Sequence, residues 1–408
     1  MRDDPRQHDQ DGEPRQHDEP QEAAAAPAAL PAITPADTPA TTPAQAGAPL
    51  RVLQVLGTSA GGVVRHVAEV VGLLEADGVE VRVAGPSSVR GNLDPDARFE
   101  RVEIAARPGL GDARAVAALR RVVAGADVVH AHGLRAGAFA VLAARLRPRR
   151  PRVVVTLHNL PVGGRAVRTV SAVLERVVAR GADAVLGVSG DLVARAQALG
   201  ARDTARALVP APPARLAARD TSDVRQELGL DERPFVLTVA RLAPQKGLDT
   251  LLDAAAVLAR SHPRARWVVA GDGPLRTPSQ DEAARRDLPV TFLGARADVP
   301  DLLHAADVVV STAVWEGQPI AVQEALRAGA ALVATDAGGT CEVTGTDAVV
   351  LVPVGDAAAV AAAVAGLLDD PVRRASLQGA ARRRAAELPG PADVLAQLLA
   401  TYRRGAPL

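Results

Sequence analysis

Aromatic side chains are scarce in this chain, 2% of 408 residues, against a hydrophobic share of 48%. Ala, Val and Leu must therefore build most of the core, which suits helices packed closely on parallel sheets. The single cysteine, Cys341, excludes an intramolecular disulfide framework and fits a reducing compartment. There is no run of about eighteen apolar residues, so no membrane-spanning helix is expected. The opening Met1-Arg2-Asp3-Asp4-Pro5 has no apolar segment of a secretory signal, and a cytoplasmic location is the expectation. Formal net charge is zero, so no global field draws the chain to nucleic acid or to acidic membranes. Lysine is also nearly missing: of 47 basic residues only Lys246 is not arginine. A compact, flexible point charge at that one place is either chance or a site where a planar guanidinium will not serve.

The length allows two domains. Residues 1–49 are rich in Pro, Ala, Gln, Asp and Arg, with the near-repeat Pro5-Arg6-Gln7-His8-Asp9 and Pro14-Arg15-Gln16-His17-Asp18. That composition predicts a disordered tail, its two histidines either solvated or open to a metal. From Arg51 the pattern changes to short Val-rich strands alternating with helical stretches. Strands are predicted at 52–56, 80–84, 102–104, 127–131, 152–157 and 184–188. Val209-Pro210-Ala211-Pro212-Pro213 then punctuates the chain as a stiff linker. The alternation restarts with strands at 235–239, 267–270, 290–293, 308–311, 331–334 and 348–352. The fold class is α/β: two doubly wound Rossmann-like domains, 50–213 and 214–388, followed by a C-terminal helix in 389–408. In such folds ligands bind at the C-terminal ends of the strands, which here would face one central cleft.

The stretch from Trp315 to Leu326 carries the densest signal. A buried strand leads through Glu316-Gly317-Gln318-Pro319 into a helix, with Pro319 expected in its first turn and Gly329 closing it. Its free N–H groups would face whatever lies above the sheet, with Glu316 just before the helix and Glu324 inside it. Glu324 is placed to accept hydrogen bonds from a ribose diol, and Glu316 to touch a sugar; both can also be plain surface carboxylates. Arg241-Leu242-Ala243-Pro244-Gln245-Lys246-Gly247 ends the first strand of the second domain and puts cations at a helix start. The helix dipole opposes cations there, and an anionic ligand between Arg241 and Lys246 would resolve the conflict. Gly271-Asp272-Gly273-Pro274 and Gly338-Gly339 are weak turn signals on the same edge. In the first domain, Gly57 to Gly62 follows the first strand as G-x-x-x-G-G, which is not a dinucleotide fingerprint. Gly61 and Gly62 either let the backbone approach a phosphate or make a tight turn. His130 and His132 exit one strand on the same face, and His158 with Asn159 end the next; each is a cleft candidate or a satisfied core residue.

Together these residues resemble the retaining GT-B glycosyltransferases of family 4, over about residues 50–405. The resemblance rests on R-L-x-P-x-K-G, on Gly271-Asp272-Gly273-Pro274 and on E-x7-E from Glu316 to Glu324, in that order. It implies a sugar moved from a nucleotide diphosphate sugar to an acceptor hydroxyl with retention. Arg241 and Lys246 would bind the diphosphate, Glu324 the ribose, Glu316 the donor sugar, and His132 would meet the transferred sugar. Gly61 and Gly62 would lie near the diphosphate and acceptor, while His158, Gly271, Gly273, Gly317, Gln318 and Pro319 would complete the substrate contacts. The last helix would cross back to the first domain. No D-x-D cradle stands in the expected cleft loops, so fixed cations would replace a divalent ion; neither metal nor cofactor is expected, the nucleotide sugar being a substrate. The acceptor, whether glycan, lipid or small molecule, stays open, as does peripheral membrane contact through the loop at 160–168. Gln318 and Cys341 depart from the commonest family pattern, at positions that shape the loop. A sugar-nucleotide epimerase and a non-catalytic sugar-nucleotide-binding protein share the architecture and are the rival readings.

Overall fold

A computed structural model describes residues 48–58, 62–105, 107–160, 164–210 and 215–404. Residues 1–47 of the expected tail, residues 211–213 of the expected linker and Gly61 lie outside the described residues. The first lobe carries β1 (Arg51–Leu56), β2 (Glu80–Gly85), β3 (Phe99–Arg101), β4 (Val128–His132), β5 (Arg152–Leu157), β6 (Ala184–Gly187) and β7 (Thr204–Arg206). The second carries β8 (Phe235–Val239), β9 (Arg266–Ala270), β10 (Val290–Gly294), β11 (Val308–Ser311), β12 (Leu332–Thr335) and β13 (Val350–Val352). Every pairing is parallel, in the orders β3-β2-β1-β4-β5-β6-β7 and β10-β9-β8-β11-β12-β13. Strands such as β1, β4 and β8 are buried almost from end to end because helices cover both faces, which is why they read as Val-rich runs without alternation.

Each sheet reverses its winding once, between β1 and β4 in the first lobe and between β8 and β11 in the second. A crevice opens where the connections leave in opposite directions. The loops leaving these four strands are the ones that begin at Gly57, Gly133, Ala240 and Thr312, so both switch points carry the motifs found in the sequence.

The C-terminal helix Pro391–Arg403 buries Val394, Leu398 and Tyr402, spaced four residues apart on one face. It packs on helix Gly62–Ala76 and β5 of the first lobe. Hydrogen bonds fix its position: Arg152 donates to the Thr401 carbonyl at 2.8 Å, and the Gln397 side chain bridges the Leu208 N–H and Arg206 carbonyl, both at 2.8 Å.

Two local expectations are corrected. The strand predicted at 102–104 lies earlier, at Phe99–Arg101, because Val102 and Ile104 are buried where the chain leaves the ladder. There the Ile104 carbonyl accepts from the Thr58 N–H at 2.9 Å. Pro319 is the N-cap of helix Ile320–Arg327, one position before the first turn, and its carbonyl accepts from the Gln323 N–H at 3.1 Å. The helix ends as expected, with Gly329 at φ 66° just past it. Helix Gly190–Ala198 and β7, which the sequence reading left out, close the first lobe.

Candidate active site

The turn after β8 and the loop after β11 lock together. Residues Pro244–Lys246 form one 3-10 turn, and Gly247 follows at φ 62°. A Cβ on Gly247 would lie 2.0 Å from the Thr312 carbonyl oxygen, so only glycine lets these backbones approach. Thr312 Oγ1 donates to the Lys246 carbonyl at 3.0 Å, and the Val314 N–H to the Gln245 carbonyl at 2.9 Å. This packing delivers Lys246 Nζ to the Glu316 carboxylate, an ion pair with both side chains mostly buried. Arg241, at the start of the same turn, is exposed. The Gly271 to Gly273 turn is threaded through its backbone: the Leu242 N–H donates to the Asp272 carbonyl at 2.9 Å and the Leu275 N–H to the Leu242 carbonyl at 3.0 Å.

Behind Glu316 stands the Gly338-Gly339 pair. The Gly339 N–H donates to the Glu316 carbonyl at 2.8 Å, and a Cβ on Gly339 would lie 2.1 Å from the Gly317 oxygen. Gln318 accepts from the buried Gln323 amide at 2.9 Å, which ties the loop to its own helix. Glu324 is half-buried one turn further on. Burial pushes its carboxyl up, opposed by Arg215 and by Arg65 of the first lobe.

The loop also touches the first lobe. A Cβ on Gly317 would meet Val188 at 2.5 Å and the His158 carbonyl at 3.2 Å, and one on Gly62 would meet Ile320 at 3.6 Å. The Trp315 indole N–H donates to Asp191 at 2.8 Å. Glu342 accepts from the Gly190 N–H at 2.7 Å and pairs with Arg206 at 2.9 Å. The start of helix Gly190–Ala198 is thus held by an indole and a carboxylate of the other lobe.

Four of the eight histidines gather on the first-lobe side: His66, His130, His132 and His158. His132 is 1% exposed with both ring nitrogens engaged, Nε2 with Gln54 Oε1 at 2.8 Å and Nδ1 with His158 Nε2 at 3.2 Å. His130 is hydrogen-bonded to Tyr402 and Thr156, both at 2.7 Å. Burial holds all four neutral, His66 down to about 4 and His130 to about 3; in His132 and His158 neighbouring imidazoles add to the effect. Among the described residues no group of three or more His, Cys, Asp or Glu side chains is placed to hold a metal ion.

The family model for glycosyl transferases group 1 matches residues 220–384, and that for the glycosyl transferase 4-like domain matches residues 61–212. A GDP-mannose-dependent α-(1-6)-phosphatidylinositol monomannoside mannosyltransferase of Mycobacterium tuberculosis is 31% identical over 306 residues, 70% of this chain and 78% of its own length. The chain belongs to the group 1 glycosyltransferases. The α-D-kanosaminyltransferase of Streptomyces kanamyceticus is 34% identical over 159 residues, 38% of this chain, a match that spans only 41% of that relative's length. Crystal structures of Anabaena HepE, one in complex with UDP-glucose, superpose with a TM-score of 0.71 at 22% identity, over 86% of this chain and 99% of HepE. The two-lobed GT-B architecture is therefore the fold of this glycosyltransferase as well.

Most site residues named from sequence converge on the gap between the switch points: Lys246, Glu316, Gly317, Gln318 and Pro319 from one side, Gly62 and His158 from the other. Arg241, Gly271 and Gly273 join them through the shared turn. His132 stands one layer behind, with His158 between it and the loop. Sequence reading gave Gln54, Tyr402, Trp315, Asp191 and Glu342 no part, or only a place in a loop. Their partners lie far away in sequence, and no spacing rule marks them.

Proposed function

We propose that this group 1 glycosyltransferase moves a sugar from a nucleotide diphosphate sugar to an acceptor hydroxyl, with retention at the anomeric carbon. The observation that carries the reading is the Lys246–Glu316 pair at the N-terminus of helix Ile320–Arg327, where β8 and β11 deliver opposite charges to one point between the lobes. A diphosphate arriving there meets Lys246, Arg241 and the free N–H groups of the helix, and Glu316 turns to a sugar hydroxyl. Glu324 takes the ribose diol, with Gly271, Gly273, Gly317, Gln318 and Pro319 shaping the donor pocket. The bond from the anomeric carbon to the phosphate oxygen breaks, and its electron pair stays on the β-phosphate. The cations stabilise that charge without rearranging, which is where preorganised electrostatics is strongest. The acceptor oxygen bonds to the anomeric carbon from the same face, and its proton passes to the departing phosphate oxygen.

The second lobe then serves the donor and the first the acceptor. We further propose a lipid-linked acceptor met at an anionic bilayer. Helix Arg165–Gly181 leaves Val167, Val170 and Val173 exposed along one row, with Arg168 exposed beside Val167. The mycobacterial relative is named for a phosphatidylinositol mannoside acceptor. Among the described residues no helix is long and apolar enough to cross a membrane, so the contact would be peripheral.

Thermal unfolding with UDP-, GDP- and ADP-sugars tests donor binding, since a ligand of the folded state raises apparent stability by mass action. Product analysis with and without acceptor separates transfer from epimerisation. No shift with any donor, or donor converted at full rate without acceptor, would sink the proposal. Co-sedimentation with phosphatidylglycerol vesicles tests the bilayer contact, which a Val170→Glu variant should abolish and equal binding by both would refute.

A further inference from the structure

The chain's one tyrosine, Tyr402, lies at the end of the C-terminal helix, yet its hydroxyl reaches the histidine cluster. A single line of hydrogen bonds runs His158–His132–Gln54–Tyr402–His130–Thr156, with separations of 3.2, 2.8, 3.2, 2.7 and 2.7 Å. Each neutral imidazole has one donor and one acceptor nitrogen, and both nitrogens of His130 and of His132 are used. If the phenol oxygen accepted from both neighbours, the buried Tyr402 O–H would be left unpaired at a cost of about 1–3 kcal/mol, so the protons along the line all point one way. In one sense His130, His132 and His158 carry the proton on Nε2; in the other all three carry it on Nδ1.

The separations at Tyr402 choose between them. In the first sense the Gln54 amide N–H donates to the phenol oxygen at 3.2 Å, and the phenol O–H donates to His130 Nδ1 at 2.7 Å. In the second the phenol O–H would donate to an amide oxygen at 3.2 Å, beyond the roughly 2.5–3.0 Å of O–H···O bonds, whereas N–H···O bonds extend to about 3.2 Å. The Gln54 carboxamide also shows its oxygen, Oε1, to His132 Nε2, which fits the first sense alone.

We propose that Tyr402 is a positioning residue: with Gln54 it locks His130, His132 and His158 into the same Nε2–H tautomer, so that His158 meets the cleft with a bare, hydrogen-bond-accepting Nδ1. His158 is half-buried and its carbonyl lies beside Gly317, so this nitrogen is the cluster's means of accepting a hydroxyl from a bound sugar or acceptor. His132 holds it from behind, with no ring nitrogen left for a substrate. The C-terminal helix thereby acts on the cleft through three hydrogen bonds, Tyr402 to Gln54, Gln54 to His132 and His132 to His158. The tautomers follow from geometry alone; their effect on turnover rests on the transfer proposed above.

The test is long-range proton–nitrogen correlation NMR on the full chain labelled with 15N-histidine, with single His→Gln variants for assignment. The wild type should show Nε2–H for His130, His132 and His158. In Tyr402→Phe, Gln54 loses the partner that orients it, and His132 should become a mixture of tautomers. The kcat for transfer should fall several-fold with the donor KM unchanged. An Nδ1–H tautomer at any of the three in the wild type would overturn the inference, whether or not Tyr402→Phe folds. An unchanged His132 in Tyr402→Phe would overturn it too, and scrambled tautomers with wild-type kcat would refute the positioning role. Wild-type protein that transfers no sugar would defeat the transfer reading instead, with the tautomers still deciding the hydrogen-bond line.

Discussion

Replacing Gly339 by alanine should cripple the site without touching a charged group. Its φ is −81°, so an alanine is not strained in its own backbone. The difficulty is space. The new Cβ would lie 2.1 Å from the Gly317 carbonyl oxygen and 3.1 Å from Ser189 Cβ. Carbon–oxygen contacts settle near 3.3 Å, so the two segments must part by about 1.2 Å. Neither obstacle is the far end of a flexible side chain, so rotation gives no relief. The displaced residue adjoins Glu316, whose carbonyl accepts from the Gly339 N–H and whose carboxylate pairs with Lys246. Overpacking of this kind costs about 1–3 kcal/mol of stability, and a 1 Å misplacement at a reacting centre can cost about a hundredfold in rate. Thermal unfolding and kcat for donor turnover on Gly339→Ala measure both. A folded variant with wild-type kcat would show that the glycine pair does not set the position of the Glu316 loop.

The buried histidines predict a pH dependence of stability. Because burial lowers their pKa from 6.5, the folded chain binds fewer protons than the unfolded chain below pH 6.5. Their contribution is fully present above pH 6.5 and is lost as pH falls through about 4 for His66 and about 3 for His130. Each such group adds a slope of about 1.4 kcal/mol per pH unit. Urea unfolding between about pH 7 and pH 5 should show it, and His66→Asn should flatten the slope by about one proton; an equal slope in both would contradict the buried, neutral assignment. Glu342→Gln weakens the pair with Arg206 that bridges the lobes, so small-angle scattering should report a larger radius of gyration than the wild type. Identical curves would mean that the bridge does not hold the lobes together. Trp315→Phe removes the indole bond to Asp191, a loss of about 0.5–1.5 kcal/mol, and should raise the donor KM several-fold; an unchanged KM would place that bond outside donor binding.

How far the sequence led follows from what kind of order each feature has. Strands buried on both faces are unbroken Val-rich runs, so β1, β5, β8 and β11 stand out with their bounds nearly right. β7 has three half-buried residues and no pattern to find. β3 was displaced because burial at Val102 and Ile104 outlasts the hydrogen-bonded ladder, and hydrophobicity reports burial. The residues proposed for the donor side are local in the sequence: Lys246 is the only lysine, and the two glutamates share one loop and helix. The contacts that hold the site are pairings such as Gln54 with Tyr402, 348 residues apart, or Trp315 with Asp191, 124 apart. No periodicity announces these. Gly338-Gly339 looked like an ordinary turn because a missing Cβ matters only once the facing backbone is known. For His132 the sequence placed the residue at a strand exit, and the structure adds that its neighbours consume both ring nitrogens.

The central claim is that fixed cations at the start of the switch-point helix carry the charge of the departing diphosphate. The most direct test is turnover of the nucleotide diphosphate sugar by Lys246→Ala, with donor affinity measured alongside. Removing one preorganised group of this kind costs about 10²–10³ in kcat, and that loss is the predicted result in a variant that stays folded. A folded Lys246→Ala that turns over donor at the wild-type rate would contradict the claim.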